Sequence, residues 1–438
     1  MSMPNVLLIT IDCLRADHLS CYGYERKTSP HMDDYMEKGF TIYRNHLSNG
    51  CSTPDSFPSI MCSRHRMEML DNNLPKKWTT IAQMLKDHGY VTVGLVSTNA
   101  FISSYYGYHK GFDVFKDITG PMFSRKHWAE SRILVKDIRD ILFDIKNKYH
   151  HDLKFSNLAG KEIEHLIKGD KPWFMWVHYM DVHVPYSCAN MEFGRWRLSN
   201  IPYYDKIMNK IIMKEDHLKI DITRDIIDMY DNAVHQVDRN VEILLRRLER
   251  SGNLENTMIM ITSDHGECFE EHGSWQHPFY GIYEEQLRTP LMIRYPGNHP
   301  YHTVNDYEAT CAADILPTIA DVVGCYEPPI IRGISILKLK DNEGQRTIFH
   351  EGRIRKFLRM ERNMPLIVRG ATRGNYRLVL EERKHKNRRR LHDIRMDDTE
   401  TKNVFNDPEY SEIEQSLHKS ISGLVRDENK TIDLEGLI

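Results

Sequence analysis

The sequence of 438 residues predicts an α/β fold: a doubly wound, mostly parallel sheet flanked by helices, with a small C-terminal antiparallel subdomain. Three nearly continuous apolar runs, at 5–11, 173–179 and 257–262, are typical of strands that are covered on both faces. Helical patterns lie between them, and such alternation favours a doubly wound sheet. From about residue 340 the pattern changes to short strands, so we expect a main domain at 1–340 and a C-terminal subdomain at 341–438.

The individual elements follow from local signals. A helix should begin at Pro30, after the polar Ser29, and close at Gly39, because Pro suits a first turn and Gly a C-terminal cap. Further elements are predicted at 78–88 (helix), 91–96 (strand), and 127–148, 156–168 and 222–251 (amphipathic helices). The segment 186–215 has weak periodicity and is interpreted as an insertion beside the site.

The C-terminal subdomain is expected to contain four short strands and a closing helix. The strand patterns lie at 346–351, 365–368, 376–380 and 389–394. The one concentrated basic run, 383–390, falls between the last two. We favour a solvated hairpin loop for it, and a loop that attracts an anionic substrate or a neighbouring subunit is the alternative.

Composition is that of a protein with a large core: 40% of residues are hydrophobic and 28% are charged. The formal net charge of −3 argues against broad nucleic-acid binding. The eight cysteines include no Cys-X-X-Cys motif and are expected to be free thiols. The first strand is not expected to be a signal peptide, because its cleavage would also remove Asp12. We therefore expect a cytoplasmic protein with no membrane partner, and homo-oligomerisation is left open.

Polar residues follow each of the three long apolar strands. Asp12 ends the first, the pair Asp264-His265 ends the third, and Asp181 and His183 follow the second. Ligands in parallel sheets gather beyond the carboxyl ends of the strands. Carboxylate and imidazole together favour Mn²⁺ or Zn²⁺, with Ca²⁺ or Mg²⁺ as alternatives. Taken alone, Asp12 or the Asp264-His265 pair would more often cap a helix, and the alternative for Asp181 and His183 is a polar loop stiffened by Pro185.

A series of ordered motifs over nearly the whole chain resembles the sulfatases of the alkaline phosphatase superfamily. They are Asp12-Cys-Leu-Arg-Ala-Asp-His, His178-Tyr-Met-Asp-Val-His-Val-Pro-Tyr, Thr262-Ser-Asp-His-Gly-Glu with Glu271-His-Gly, Tyr283-Glu-Glu-Gln-Leu-Arg-Thr-Pro-Leu, Ala313-Asp-Ile-Leu-Pro-Thr-Ile, and Leu391 to Asn403. The resemblance implies that fold, a divalent metal ion and hydrolysis of small anionic esters.

The nucleophile position departs from the family pattern. Similar sulfatases carry Cys or Ser in a Cys-X-Pro-Ser-Arg type motif, and a maturation enzyme converts that residue to formylglycine. Counting back from 58–64 places Thr53 there, with Asp55 and Phe57 at the Pro and Arg positions. Threonine cannot mature to formylglycine. Cys51 fits only if the alignment slips by two residues.

Thr53 is expected to act as a plain hydroxyl nucleophile. A cation bound by Asp12, Asp264, His265 and Thr53 would lower the pKa of the hydroxyl, and the first amides of the following helix would stabilise negative charge. A helix N-cap is the alternative role for Thr53.

Five further residues are candidates for the site. The resemblance places His277 where relatives carry a substrate-contacting Lys or His, and it could protonate the leaving group or bind a second metal ion. Asp181 and His183 are two residues apart on a backbone expected to be extended, so both should face the crevice near the substrate. In two-metal relatives this region binds metal. His272 matches a family position, and it would contact substrate or shape its loop. Arg15 is an anion contact or a partner of the metal ligands.

The favoured interpretation is a metal-dependent ester hydrolase that acts through a Thr53 covalent intermediate on phosphate mono- or diesters, or on phosphonate esters. The alternatives are an arylsulfatase-type sulfuric ester hydrolase and a degenerate metal-binding protein of the same fold.

Overall fold

The computed structural model describes residues 3–117, 154–184, 186, 192–194, 223–278, 281–297, 304–305, 309–339, 346–353, 365–383 and 387–436. The predicted helix at 127–148 and most of the insertion at 186–215 lie outside these ranges. Within them, no helix is both long and apolar enough to cross a bilayer.

The strands within these ranges are numbered in chain order: β1 (Asn5–Ile11), β2 (Phe40–Tyr43), β3 (His46–Leu47), β4 (Val91–Val96), β5 (Val114–Asp117), β6 (Trp173–Tyr179), β7 (Thr257–Thr262), β8 (Cys268–Phe269), β9 (Trp275–Gln276), β10 (Leu291–Arg294), β11 (Val304–Asn305), β12 (Thr310–Cys311), β13 (Thr347–Arg353), β14 (Pro365–Arg373), β15 (Tyr376–Arg383) and β16 (Arg388–Asp393). The α-helices are α1 (Pro30–Met36), α2 (Thr53–Cys62), α3 (Ile81–Asp87), α4 (154–167), α5 (Thr223–Arg250), α6 (Glu284–Leu287), α7 (Ile315–Val323) and α8 (Ser411–Gly436).

The predicted sheet is confirmed. Eight strands lie in the order β11-β2-β10-β7-β1-β6-β4-β5, and all pairs are parallel except those made by β10. The central strand β1 pairs with β6 on one side and β7 on the other, so that Thr10 lies opposite both His178 and Thr262. Because the registers match, the residues that follow these three strands meet at one edge of the sheet.

Helices cover both faces, as a doubly wound fold requires. Leu7 and Ile9 of β1 belong to a core cluster that includes side chains of α1, α4 and α5. Val6 and Leu8 point to the opposite face and belong to a cluster built with α2, α3 and α7. This alternation explains why the apolar run of β1 is continuous.

The C-terminal sheet, β13-β14-β15-β16, is antiparallel and packs against α8, as predicted. The solvated-loop interpretation of the basic run is wrong at its end, because β16 already begins at Arg388. Arg390 is only 2% exposed: its Nε lies 3.2 Å from Glu381 Oε1, and its guanidinium lies 4.1 Å from the centre of the Tyr283 ring. The domain boundary at residue 340 stays a prediction.

Buried ion pairs join the C-terminal sheet to α6. Arg377 of β15 is fully buried and donates to Glu284 Oε2 (2.7 Å) and Glu400 Oε1 (2.9 Å). Burial would raise the pKa of Glu284, but Arg288 and Arg377 lower it to about 2. Loss of one partner would leave buried carboxylates without their counter-charge.

We predict that Arg377→Met lowers the free energy of unfolding at pH 7 by about 3–5 kcal/mol. The matched control is Arg369→Met, since Arg369 on the neighbouring strand pairs at 2.8 Å with Glu382, whose side chain is 54% exposed; a loss of at most about 1 kcal/mol is expected there. Urea denaturation of both variants measures the difference. Equal losses would contradict the structural role of the Arg377 pairs.

Candidate active site

Four side chains from three parts of the chain meet at the carboxyl edge of the sheet. Asp12 follows β1, Asp264 and His265 follow β7, and Thr53 is the first residue of α2. Thr53 Oγ1 lies 3.4 Å from Asp12 Oδ2 and 3.4 Å from His265 Nε2. His265 Nε2 also lies 3.4 Å from Asp264 Oδ2 and 3.8 Å from Asp12 Oδ1. The structure therefore brings the four expected ligands into one cluster.

The start of α2 rules out the N-cap alternative for Thr53. Ser52 occupies the N-cap position, and the Thr53 hydroxyl faces the acids instead of a helix amide. The expectation of several free amides is also wrong: Pro54 has no N–H, and the amides of Asp55 and Ser56 donate to Ser52 O. Because α2 begins at Thr53, the amide of Thr53 is the one helix amide that comes before Pro54.

Asp55 and Phe57, which are predicted to occupy the Pro and Arg positions of the family motif, make structural contacts. Asp55 Oδ2 accepts a hydrogen bond from Ser52 Oγ (2.6 Å), and its Oδ1 lies 3.9 Å from Arg66 Nε. Phe57 is fully buried, with its ring edge-to-face on His178 at 5.2 Å. Cys51 is fully buried and its Sγ points to Glu351 O (3.8 Å), so it lies apart from the acids. Of Thr53 and Cys51, Thr53 is the residue that faces this cluster, and its assignment to the nucleophile position of the family stays a prediction.

The cluster fits a divalent cation. Asp12 and Asp264 are fully buried, and Asp264 Oδ2 has no hydrogen-bond donor among the residues described. Burial and the charge of Asp12 raise the pKa of Asp264, so the pair of carboxylates needs a counter-charge. One ligand atom from each of Asp12, Asp264 and His265 lies within 4.8 Å of the others. Two carboxylates, an imidazole and a hydroxyl form a donor set that suits Mn²⁺ or Zn²⁺.

Sequence reasoning missed two partners of Asp12. Asn99 Nδ2 donates to Asp12 Oδ2 at 2.7 Å and lies 3.3 Å from Thr53 Oγ1. His178 Nε2 lies 3.3 Å from Asp12 Oδ2, and its Nδ1 is 2.9 Å from Thr10 Oγ1. Asn99 follows β4 at the same sheet edge, so the strand-end argument could have found it. The signal for His178 was a polar residue within an apolar strand.

His277 is held beside the cluster by a buried acid that was also missed. Its Nδ1 lies 3.1 Å from Glu267 Oε1, and its ring centre is 4.7 Å from that of His265 and 5.0 Å from that of His183. Burial would lower the pKa of His277, but the charge and hydrogen bond of Glu267 raise it overall. Glu267 therefore fixes the orientation of His277 and favours its protonated form.

Asp181 and His183 separate, contrary to the expectation that both face the crevice. Asp181 is fully buried, and its Oδ1 accepts from Asn240 Nδ2 of α5 at 2.7 Å. A turn closed by His183 N donating to Met180 O replaces the extended backbone, so the alternation of side chains fails there. His183 lies beside His277, whereas Asp181 is turned towards α5, and its contact with substrate stays a prediction.

Arg15 and His272 shape the loop that carries Glu267. The Arg15 guanidinium donates to Asp17, to Glu271 Oε1 (2.7 Å) and to the backbone oxygen of Glu267 (3.0 Å), which favours the role of a supporting partner over an anion contact. His272 stacks on the Tyr283 ring at 3.6 Å. Both placements favour the supporting alternative for these residues, and direct contact with substrate stays a prediction.

An α/β sheet with a metal-ligand cluster and a hydroxyl at its carboxyl edge defines a hydrolase of the alkaline phosphatase-like superfamily. The Sulfatase family matches residues 4–325, so the chain belongs to the sulfatase family. The family described as N-sulphoglucosamine sulphohydrolase, C-terminal, matches residues 270–427. This match confirms the resemblance seen in the sequence and the prediction that the chain is a hydrolase of this family. Members of the family generally depend on a metal ion, and the structure contains candidate ligands for one.

Similar proteins include both sulfatases and a phosphonate hydrolase. An N-acetylglucosamine-6-O-sulfatase of Bacteroides thetaiotaomicron is 27% identical over 422 residues, which cover 78% of this chain and 72% of that protein. The phosphonate monoester hydrolase of Agrobacterium radiobacter has the same fold, with a TM-score of 0.71, 19% identity and coverage of 97% and 96% of the two chains. An enzyme solved with its substrate D-glucosamine-2-N,6-O-disulfate has a TM-score of 0.70 at 19% identity, with coverage of 99% and 98%.

We predict that Asp264→Asn weakens Mn²⁺ binding by about 100-fold or more, yet leaves the metal-free protein at least as stable as the wild type. The reason is that the substitution removes a ligand and also removes a buried negative charge beside Asp12. Equilibrium dialysis and urea denaturation in chelator measure the two effects. Asp17→Asn is the control, because Asp17 is exposed and pairs with Arg15. A destabilised metal-free Asp264→Asn variant would contradict the described charge balance.

Proposed function

We propose that this chain is a metal-dependent hydrolase of phosphate mono- or diesters, or of phosphonate esters, in which Thr53 is the nucleophile. The observation that carries the proposal is the position of Thr53 Oγ1, 3.4 Å from both Asp12 Oδ2 and His265 Nε2. A divalent cation held by Asp12, Asp264 and His265 would lower the pKa of the Thr53 hydroxyl and polarise the ester.

The chemistry of threonine favours phosphoryl transfer. Thr53 Oγ1 attacks phosphorus, its proton leaves to solvent, and the bond from phosphorus to the leaving oxygen breaks. Water then cleaves the phosphorylated threonine and restores the hydroxyl. A sulfated threonine would not be hydrolysed in a comparable way. Sulfatases that resemble this chain release sulfate through formylglycine, which a threonine side chain cannot form. The proposed substrate is a small anionic ester, comparable in size to the D-glucosamine-2-N,6-O-disulfate bound in the similar solved structure.

His277 is proposed to give a proton to the leaving oxygen. Its Nδ1 is engaged by Glu267 Oε1, so Nε2 is the nitrogen left to act as acid. Burial would lower the pKa of His277, but the charge and hydrogen bond of Glu267 raise it overall, which favours the protonated ring that an acid requires. His183, whose ring lies 5.0 Å away, is proposed to contact the substrate on the same side.

The second candidate is hydrolysis of sulfate esters. It is favoured by the family itself and by the 27% identical N-acetylglucosamine-6-O-sulfatase. The two candidates differ in what Thr53 must do, because sulfate transfer to an unmodified threonine would halt after one turnover. A degenerate binding protein is the third candidate, and the retention of Asp12, Asp264, His265 and Thr53 in one cluster argues against it.

We predict that mono-aryl and bis-aryl phosphates turn over faster than the matching aryl sulfate when Mn²⁺ or Zn²⁺ is present. The measurement is initial rates on esters with one shared leaving group, so that only the transferred group differs. Faster turnover of the sulfate by a protein with unmodified Thr53 would refute the substrate class. No turnover of either ester with any of Mn²⁺, Zn²⁺, Ca²⁺ and Mg²⁺ would favour the binding protein.

We predict that Thr53→Ala lowers kcat for the preferred ester by about 10³-fold or more, because the covalent route is lost. Thr53→Ser should keep part of the rate, since it retains a hydroxyl at the start of α2. Far-ultraviolet circular dichroism is the control for folding, and the rates are compared at saturating Mn²⁺ because Thr53 is itself one of the expected ligands. A Thr53→Ala variant with the full rate would remove Thr53 from the mechanism.

A further inference from the structure

Cys13 is a strained residue whose thiol lies inside the cluster. It follows Asp12 directly and has φ +60°, in the left-handed region, which residues other than glycine seldom adopt. Its amide donates to Asp264 Oδ1 (3.3 Å), and its Sγ lies 3.1 Å from Asp12 Oδ1 and 3.5 Å from His277 Nδ1. The backbone strain thus accompanies a fully buried thiol set among potential metal ligands.

Three histidines around this thiol have the same nitrogen engaged. Their Nδ1 atoms lie at hydrogen-bond distance from oxygen acceptors: 2.6 Å for His183 to Val184 O, 2.9 Å for His265 to Gly266 O, and 3.1 Å for His277 to Glu267 Oε1. Carbonyl and carboxylate oxygens only accept, so Nδ1 carries the proton in each ring. The lone pair of the neutral imidazole is then on Nε2, which is how ligating histidines are oriented at metal centres.

The sulfur of Cys13 and the imidazole nitrogens of His265 and His277 therefore lie beside the carboxylate oxygens of Asp12 and Asp264. One ligand atom from each of Cys13, His265 and His277 lies within 4.8 Å of the others, as do those of Asp12, Asp264 and His265. Thiolate with two imidazoles suits soft cations, whereas two carboxylates with one imidazole suit harder ones. His265 belongs to both sets, and its Nδ1 is already engaged. A single Nε2 can bind one cation at a time, so the two sets are alternatives.

We propose that Cys13, His265 and His277 form a second binding position for a strongly thiophilic divalent cation such as Cd²⁺, alternative to the position at Asp12, Asp264 and His265. Binding forms one sulfur–metal bond and two nitrogen–metal bonds; it releases to solvent the thiol proton of Cys13 and, when His277 is in its protonated form, the Nε2 proton of His277. Glu267 is the positioning residue, because it fixes the tautomer of His277.

Occupation of the second position would inhibit hydrolysis. The cation there lacks Asp264 and Thr53 among its ligands, and it takes His265 and His277 away from the reaction. This inhibitory consequence rests on the proposed function, whereas the binding of the cation does not. The two parts can therefore fail separately.

The test adds Cd²⁺ to the Mn²⁺-loaded protein and to the metal-free protein. We expect Cd²⁺ to give a thiolate-to-Cd²⁺ charge-transfer absorption with both proteins. In the Mn²⁺-loaded protein we also expect the release of one Mn²⁺, which is monitored by the electron paramagnetic resonance signal of the free ion. Cys13→Ser should abolish the absorption and weaken Cd²⁺ binding by about 10- to 100-fold or more. His277→Gln should also weaken Cd²⁺ binding. The matched control is Cys268→Ser, since Cys268 is equally buried and its Sγ points to Glu285 Oε1 at 3.6 Å.

Two results would overturn the proposal. A charge-transfer absorption that survives in Cys13→Ser would place the sulfur ligand elsewhere. Binding of Cd²⁺ without release of Mn²⁺ would show that the two sets are not alternatives. If no ester is hydrolysed but Cd²⁺ still binds the metal-free protein through Cys13, the binding position stands and only the proposed function fails.

Discussion

The burial of two carboxylates at the ends of adjacent parallel strands is the constraint on which the rest of this structure depends. Asp12 and Asp264 follow β1 and β7 in matched register, and neither is exposed to solvent. Two such charges raise each other's cost of ionisation, so the fold must surround them with donors or with a cation. Asn99 and His178 contact Asp12, while Asp264 Oδ2 has no hydrogen-bond donor in the described ranges. That asymmetry points to a cation at the side of Asp264.

On the proposed assignment of Thr53 as the nucleophile, the site differs from that of formylglycine sulfatases in the contacts around it. Phe57, at the proposed Arg position, packs its ring on His178 in the core. Asp55, at the proposed Pro position, accepts a hydrogen bond from Ser52. A threonine at the start of α2 keeps a hydroxyl there but cannot mature to formylglycine.

Much of the fold and the metal cluster could be predicted from the sequence because the signals are local. A continuous apolar strand followed by an acid places that acid at the sheet edge whatever the rest of the chain does, and this was enough for Asp12 and for Asp264-His265. Asn99 follows β4 and was within reach of the same strand-end argument, whereas Glu267 required the path of a loop, which no local pattern contains. Asp181 was misplaced because a turn at Met180 ends the alternation of the strand. The expected cytoplasmic location and the lack of a nucleic-acid or membrane partner remain predictions.

The central claim is that Thr53 forms a covalent intermediate with the transferred group. Its most direct test is the stereochemical course of hydrolysis of a phosphodiester made chiral at phosphorus with sulfur and heavy oxygen. Two successive in-line displacements, first by Thr53 and then by water, predict net retention of configuration at phosphorus. Net inversion would mean that water attacks the ester directly and would contradict the account.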